Sequence, residues 1–106
     1  MGFFDLFRSP DINQGLKEFQ STVDAVLLDV RTPQEYSEGH LPESKNIPLQ
    51  TISNAVNIIN RKETPIYVYC RSGSRSHQAS TALARMGYTN VKNIGGIASY
   101  KGKVVR

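Results

Sequence analysis

The stretch IYVYCRSGSRSHQA, residues 66–79, decides how the whole chain is read. Ile66 to Tyr69 is an apolar and aromatic run of strand length without polar alternation, and such runs belong to parallel strands covered on both faces. Cys70, the only cysteine, follows at once. Arg71, Ser72, Gly73, Ser74, Arg75 and Ser76 come next, all small or cationic, ahead of a helical period that begins near Ala79. In parallel α/β sheets ligands bind beyond the carboxyl ends of the strands, and Cys70 is the first residue past the end of this run.

The same alternation extends in both directions. AVLLDV, Ala25 to Val30, is a second continuous apolar run, and VKNI, Val91 to Ile94, a weaker third. Ile12, Leu16, Phe19 and Val23 share one helical face, with Ser9 placed to cap and Pro10 at the first helical position. Leu49, Ile52, Val56 and Ile59 make a second stripe; Ala79, Ala82, Leu83 and Met86 make a third, closed by Gly87. Strands alternating with helices predict a parallel α/β sheet with right-handed crossovers. With 106 residues, no internal repeat and no linker, the expectation is one domain over residues 1–106.

Composition narrows the partners. A chain with 39% hydrophobic and 21% charged residues is an ordinary globular protein, and one cysteine excludes an intramolecular disulfide and with it a stapled secreted scaffold. In MGFFDLF, Asp5 interrupts the apolar run and no basic region precedes it, so it makes a poor signal peptide. No stretch approaches the roughly 20 apolar residues of a membrane span, and the expected setting is cytoplasmic. A formal charge of +4 favours anionic ligands. The basic residues are scattered from Arg8 to Arg106 without runs or aromatic interleaving, which points to a small anion and away from nucleic acid.

A thiol with an ordinary pKa near about 8.5 is only a few per cent thiolate at neutral pH, so its surroundings must supply reactivity. Here the loop leads straight into a helix, and several backbone N–H groups can converge on the sulfur with the positive end of the helix dipole behind them. Gly73 permits the backbone to curl. Arg71 and Arg75 add positive charge, while Ser72, Ser74 and Ser76 offer hydroxyl donors. The alternative is a buried core thiol at a strand end, a common place for cysteine.

CRSGSR, Cys70 to Arg75, resembles the active-site loop of the rhodanese family of sulfurtransferases. LLDVRTPQEYSEGHLPESKNIPL, residues 27–49, is similar to the family's Asp-Val-Arg, Glu-Tyr/Phe and Gly-His-Ile-Pro signature, and NIGGIASYKG, residues 93–102, to its closing Gly-Gly segment. PESKN stands where the family commonly has Pro-Gly-Ala, and Tyr100 where it often has Trp. The resemblance implies a three-layer α/β/α fold with a mainly parallel five-stranded sheet, whose first strand has only MGFFDLF as a candidate. It implies a Cys70 thiolate that takes the outer sulfur of thiosulfate or a related sulfane donor. The resulting persulfide is passed to cyanide, a thiol or an acceptor protein, with no metal or organic cofactor. With no second cysteine, the acceptor must be external.

Two other readings stand beside it. A rhodanese-like module can dock without catalysing, although inactive members typically lack the cysteine. Related cysteine phosphatases and arsenate reductases cradle a tetrahedral oxyanion with the spacing C-x5-R, whereas four residues separate Cys70 from Arg75. An arsenate reductase would also need a resolving thiol that this chain does not carry. Asp29, Arg31 and Glu35 resemble a family scaffold of charge pairs behind the loop. His40 reads as a hydrogen-bonded turn residue and His77 as an exposed one; with a single Cys they make no zinc site. Phe3, Phe4, Leu6 and Phe7 are expected to plug the sheet edge of a monomer.

The loop spacing predicts negligible turnover of aryl phosphates, because the shorter loop has one fewer amide for a phosphoryl group. Lengthening it by one residue between Ser74 and Arg75 should abolish sulfur transfer. Robust Cys70-dependent phosphatase activity of the unmodified chain, followed with a chromogenic aryl phosphate, would sink this reading.

Overall fold

A computed structural model describes residues 10–106. MGFFDLF, with its expected edge plug and fifth strand, lies outside the described residues, and so does Ser9. The described residues form a parallel sheet of β1 (Val26–Asp29), β2 (Lys45–Asn46), β3 (Ile66–Cys70) and β4 (Val91–Gly96) in the order β2-β1-β3-β4. These are four strands rather than the five implied. The short β2 was not foreseen, because its two residues are polar and carry no apolar signal.

The apolar runs are continuous because successive residues serve different layers. Leu27, Tyr67 and Tyr69 point into a core shared with Ile12, Leu16 and Phe19 of helix α1 (Ile12–Gln20). Leu28, Val30, Ile66, Val68 and Cys70 point the other way, against Ala79 and Leu83 of helix α3 (Ser74–Arg85) and against Ala55 and Ile59. This is the three-layer α/β/α arrangement, and the alternation assigns Cys70 to the α3 face.

The helices differ from the periodicity in four places. Helix α1 is capped by Asp11, whose carboxylate accepts the Asn13 N–H at 2.9 Å, so Pro10 precedes the helix instead of opening it. It ends at Gln20, where the hydroxyls of Ser21 and Thr22 turn back onto the Lys17 and Glu18 carbonyls, and Val23 is left 81% exposed. The second stripe is a 3₁₀ segment, Leu49–Asn57, kinked at Thr51. Three residues per turn align Leu49, Ile52 and Ala55 and turn Val56 to solvent. Helix α2 (Pro33–Glu38) has too few apolar residues to show a stripe, but TPQE is a capping-box sequence: Thr32 and Glu35 cap each other, and Pro33 occupies the first turn.

Strand β4 runs past Ile94 because a bulge opens between the pairs Val68–Asn93 and Tyr69–Gly95. The bulge brings Gly96 against the loop after β3, where a Cβ would stand 2.1 Å from the Arg71 carbonyl oxygen and 2.6 Å from Ser72 Cα. Both are backbone atoms and cannot swing aside. Gly96→Ala should therefore displace the Cys70 loop and cost about 1–3 kcal/mol. Chemical denaturation should show the loss, and thiol alkylation should slow. Wild-type stability and alkylation rate in this variant would contradict the contact.

Candidate active site

Cys70 closes β3 and is 1% exposed. Immediately beyond it Gly73 takes φ +103°, a conformation that costs other residues a Cβ clash. That turn aims the Gly73 N–H at Cys70 Sγ, 3.0 Å away, and starts α3 at Ser74. Ser74, Arg75 and Ser76 accordingly belong to the first turn of α3 rather than to a free loop. Ser76 is fully buried, with Oγ 3.4 Å from the sulfur. Burial pushes the Cys70 thiol up, but the Ser76 hydroxyl and the peptide N–H groups of Ser76, Gly73 and Ser72 outweigh it and hold the thiol below its ordinary range. The sulfur sits at the N-terminus of a 12-residue helix, where the dipole favours an anion.

The two arginines have different surroundings. Arg71 is exposed and borders a cleft of about 270 Å³ with Arg31, Glu35, Glu38, Gly39, Ile97 and Ala98. Its backbone carbonyl accepts the Ala98 N–H at 3.1 Å, which ties the loop to the turn after β4. Arg75 reaches across to α2 and grips Glu35 with both guanidinium arms, Nη1–Oε1 at 2.7 Å and Nη2–Oε2 at 3.0 Å. The Arg75 side chain, with the Thr32 cap, pulls the Glu35 carboxyl down to about 2. Most of Arg75's charge is thus matched by Glu35, and its main contact is an anchor between α3 and α2. Ser72 and Ser74 are exposed at the rim.

Behind the loop, Asp29 is fully buried and grips Arg31 through Nε, at 3.1 Å to each carboxylate oxygen, and through Nη2 at 2.8 Å. Arg31 also donates to the Gly39 carbonyl at 2.7 Å and lies over the Tyr69 ring. The Tyr69 hydroxyl accepts the Leu41 N–H at 3.0 Å, and burial raises its pKa. His40 stacks on Tyr36 with its Nδ1 2.8 Å from the Tyr36 carbonyl, apart from the sulfur. His77 is exposed on α3. One residue beside the thiol escaped the sequence reading: Asn93 Oδ1 lies 2.7 Å from Ser76 Oγ. Its signal was a polar side chain inside the apolar run VKNI, next to the glycine pair.

Residues 13–103 match the rhodanese-like domain as a family. The chain is a rhodanese-like domain. A sulfurtransferase of Allochromatium vinosum is 39% identical over 80 residues, 74% of each chain. Thiosulfate sulfurtransferase PspE of Escherichia coli is 38% identical over 71 residues, 66% of this chain and 68% of that one. The solved structure of a rhodanese with anions from E. coli superimposes with a TM-score of 0.72 at 34% identity, covering 77% of this chain and 98% of the other. The rhodanese fold is common to both, and no helix among the described residues is long and apolar enough to cross a membrane.

In this rhodanese-like domain the Glu35–Arg75 pair yields a pH signature. A carboxyl at about 2 in the folded chain against an ordinary 4.5 stabilises the fold above pH 4.5, and that contribution disappears as pH falls toward 2. Both side chains are about a third exposed, 31% for Arg75 and 28% for Glu35, so Glu35→Gln should cost only about 1 kcal/mol at neutral pH. Acid unfolding of the variant should be correspondingly flatter between pH 4.5 and 2. An unchanged acid limb would show that the pair does not couple to folding.

Proposed function

We propose that the protein is a sulfurtransferase that carries a sulfane sulfur as a persulfide on Cys70, taken from thiosulfate or a related donor. The observation that carries this reading is the Gly73 N–H aimed at Cys70 Sγ at 3.0 Å from the start of α3, in a loop with four residues between Cys70 and Arg75. With the Ser76 hydroxyl 3.4 Å from Sγ, that N–H favours an anionic sulfur, and the loop is one residue shorter than the C-x5-R spacing that cradles a tetrahedral oxyanion. The sulfurtransferases among the relatives support the same class of chemistry.

Transfer proceeds in two displacements. The Cys70 thiolate attacks the outer sulfur of thiosulfate; the new S–S bond forms as the bond to the sulfonate breaks, and sulfite leaves with the electron pair. Cyanide or an external thiolate then attacks the terminal sulfur, and Cys70 leaves as the thiolate held by the loop. No net oxidant or reductant is needed. Arg71, exposed beside the cleft, is placed to draw in the anionic donor, whereas Arg75 acts chiefly through the alignment of α3. A single thiol with an external acceptor suits a monomer in a reducing, cytoplasmic setting.

Incubation with thiosulfate should add the mass of one sulfur atom to the wild type and nothing to Cys70→Ser, and cyanide should remove it as thiocyanate. Intact-mass spectrometry checks both. Absence of a persulfide with thiosulfate and with other sulfane donors would defeat the catalytic reading in favour of a docking module.

A further inference from the structure

One hydroxyl proton beside Cys70 has three acceptors within reach. Ser76 Oγ stands 2.7 Å from Asn93 Oδ1, 3.1 Å from the Gly73 carbonyl oxygen and 3.4 Å from Cys70 Sγ. The Asn93 amide cannot turn round: Oδ1 accepts the Gly95 N–H at 3.0 Å, and Nδ2 donates to the Gly73 carbonyl at 3.3 Å. Reversing it would set N–H against N–H and carbonyl against carbonyl. Oδ1 is therefore a fixed acceptor at the shortest of the three distances, and it claims the Ser76 proton. While Cys70 is a thiol, Ser76 then presents a lone pair to its S–H, and the support Ser76 gives a thiolate requires its hydroxyl to turn away from Asn93.

We propose that Asn93 is a positioning residue that sets the charge state of Cys70 by holding the Ser76 hydroxyl proton away from the sulfur. When Cys70 loses its proton to solvent, Ser76 turns its own from Asn93 toward the thiolate. Once Cys70 carries a second sulfur, Sγ is a neutral bridging atom and the negative charge moves to the outer sulfur. The Ser76 proton then returns to Asn93. Asn93 thus disfavours the empty thiolate relative to the loaded persulfide, a consequence that rests on the sulfur-transfer reading; the effect on the empty thiol does not.

The other charged groups around Cys70 are Arg71 on the loop, Arg75 of α3 closed against Glu35 of α2, and the Asp29–Arg31 pair at the end of β1. The 3₁₀ segment Leu49–Asn57 carries no charged residue, and Lys92 of β4 is paired with Glu18. None of these charged side chains hydrogen-bonds to Asn93 or Ser76.

The test is a double-mutant cycle on the full chain, reading the rate of iodoacetamide alkylation against pH. Asn93→Ala frees the Ser76 proton and should lower the Cys70 pKa by about half to one unit. The same change in a Ser76→Ala background should leave it unmoved. A raised pKa in Asn93→Ala, which a merely loosened amide ring would give, or an equal shift with and without Ser76, overturns the proposal. Should Asn93→Ala fail to fold, Asn93→Asp decides: it keeps the acceptor oxygen and should raise the pKa, and the rise should shrink when Ser76 is also Ala. An undiminished rise in that background is a charge effect and overturns the proposal. Loading with thiosulfate and with other sulfane donors, followed by mass, separates the two readings: a pKa cycle that holds without a persulfide from any of them supports the Asn93 role and defeats sulfur transfer.

Discussion

The N–H of Gly73 pointing at the Cys70 sulfur is the contact on which the rest of the structure depends. It exists only because the chain reverses through positive φ at Gly73, and that reversal fixes where α3 starts and how its axis lies over the sheet. A helix beginning one residue later would aim its free N–H groups past the sulfur. The bulge in β4 serves the same geometry from the other side, because it lowers Gly96 onto Arg71 and Ser72, where any side chain would strike backbone. Strand end, helix start and glycine pair form one packed unit, and a change in any of them moves the amides about the thiol.

Charge around this unit is arranged in closed pairs. Asp29 and Arg31, buried together, repay much of their desolvation through a two-armed contact and the Gly39 carbonyl. Their contribution lies in orientation, since Arg31 links the end of β1 to the turn after α2. Glu35 does the same for α3 through Arg75, with its own position set by the Thr32 cap. Arg71 and Glu38 line the cleft without an ion-pair partner among the described residues. The positive charge available to an incoming anion is therefore concentrated at Arg71, beside a sulfur that is itself nearly enclosed.

The sequence by itself determined the class of fold and the place of the thiol. Continuous apolar runs such as Ile66–Tyr69 have one stable use in a chain of this length, a parallel strand between two layers, and the small cationic stretch after Cys70 has no use inside a core. The capping box TPQE was equally local, although α2 was too polar for its period to show. Tertiary structure decided the rest. Val23 and Val56 fit helical stripes on paper, yet the ends and pitch of their segments turned both to solvent. Arg75 is legible as a positive charge next to the thiol, but only the fold shows that a carboxylate 40 residues away in sequence holds its guanidinium in place. Asn93 gained its place beside Ser76 only through pairing of β4 with β3 and the bulge between them. Local pattern reports what a residue can bury or cap within a turn or two. Which donor meets which acceptor is set by strand register and helix placement, and those are properties of the folded whole.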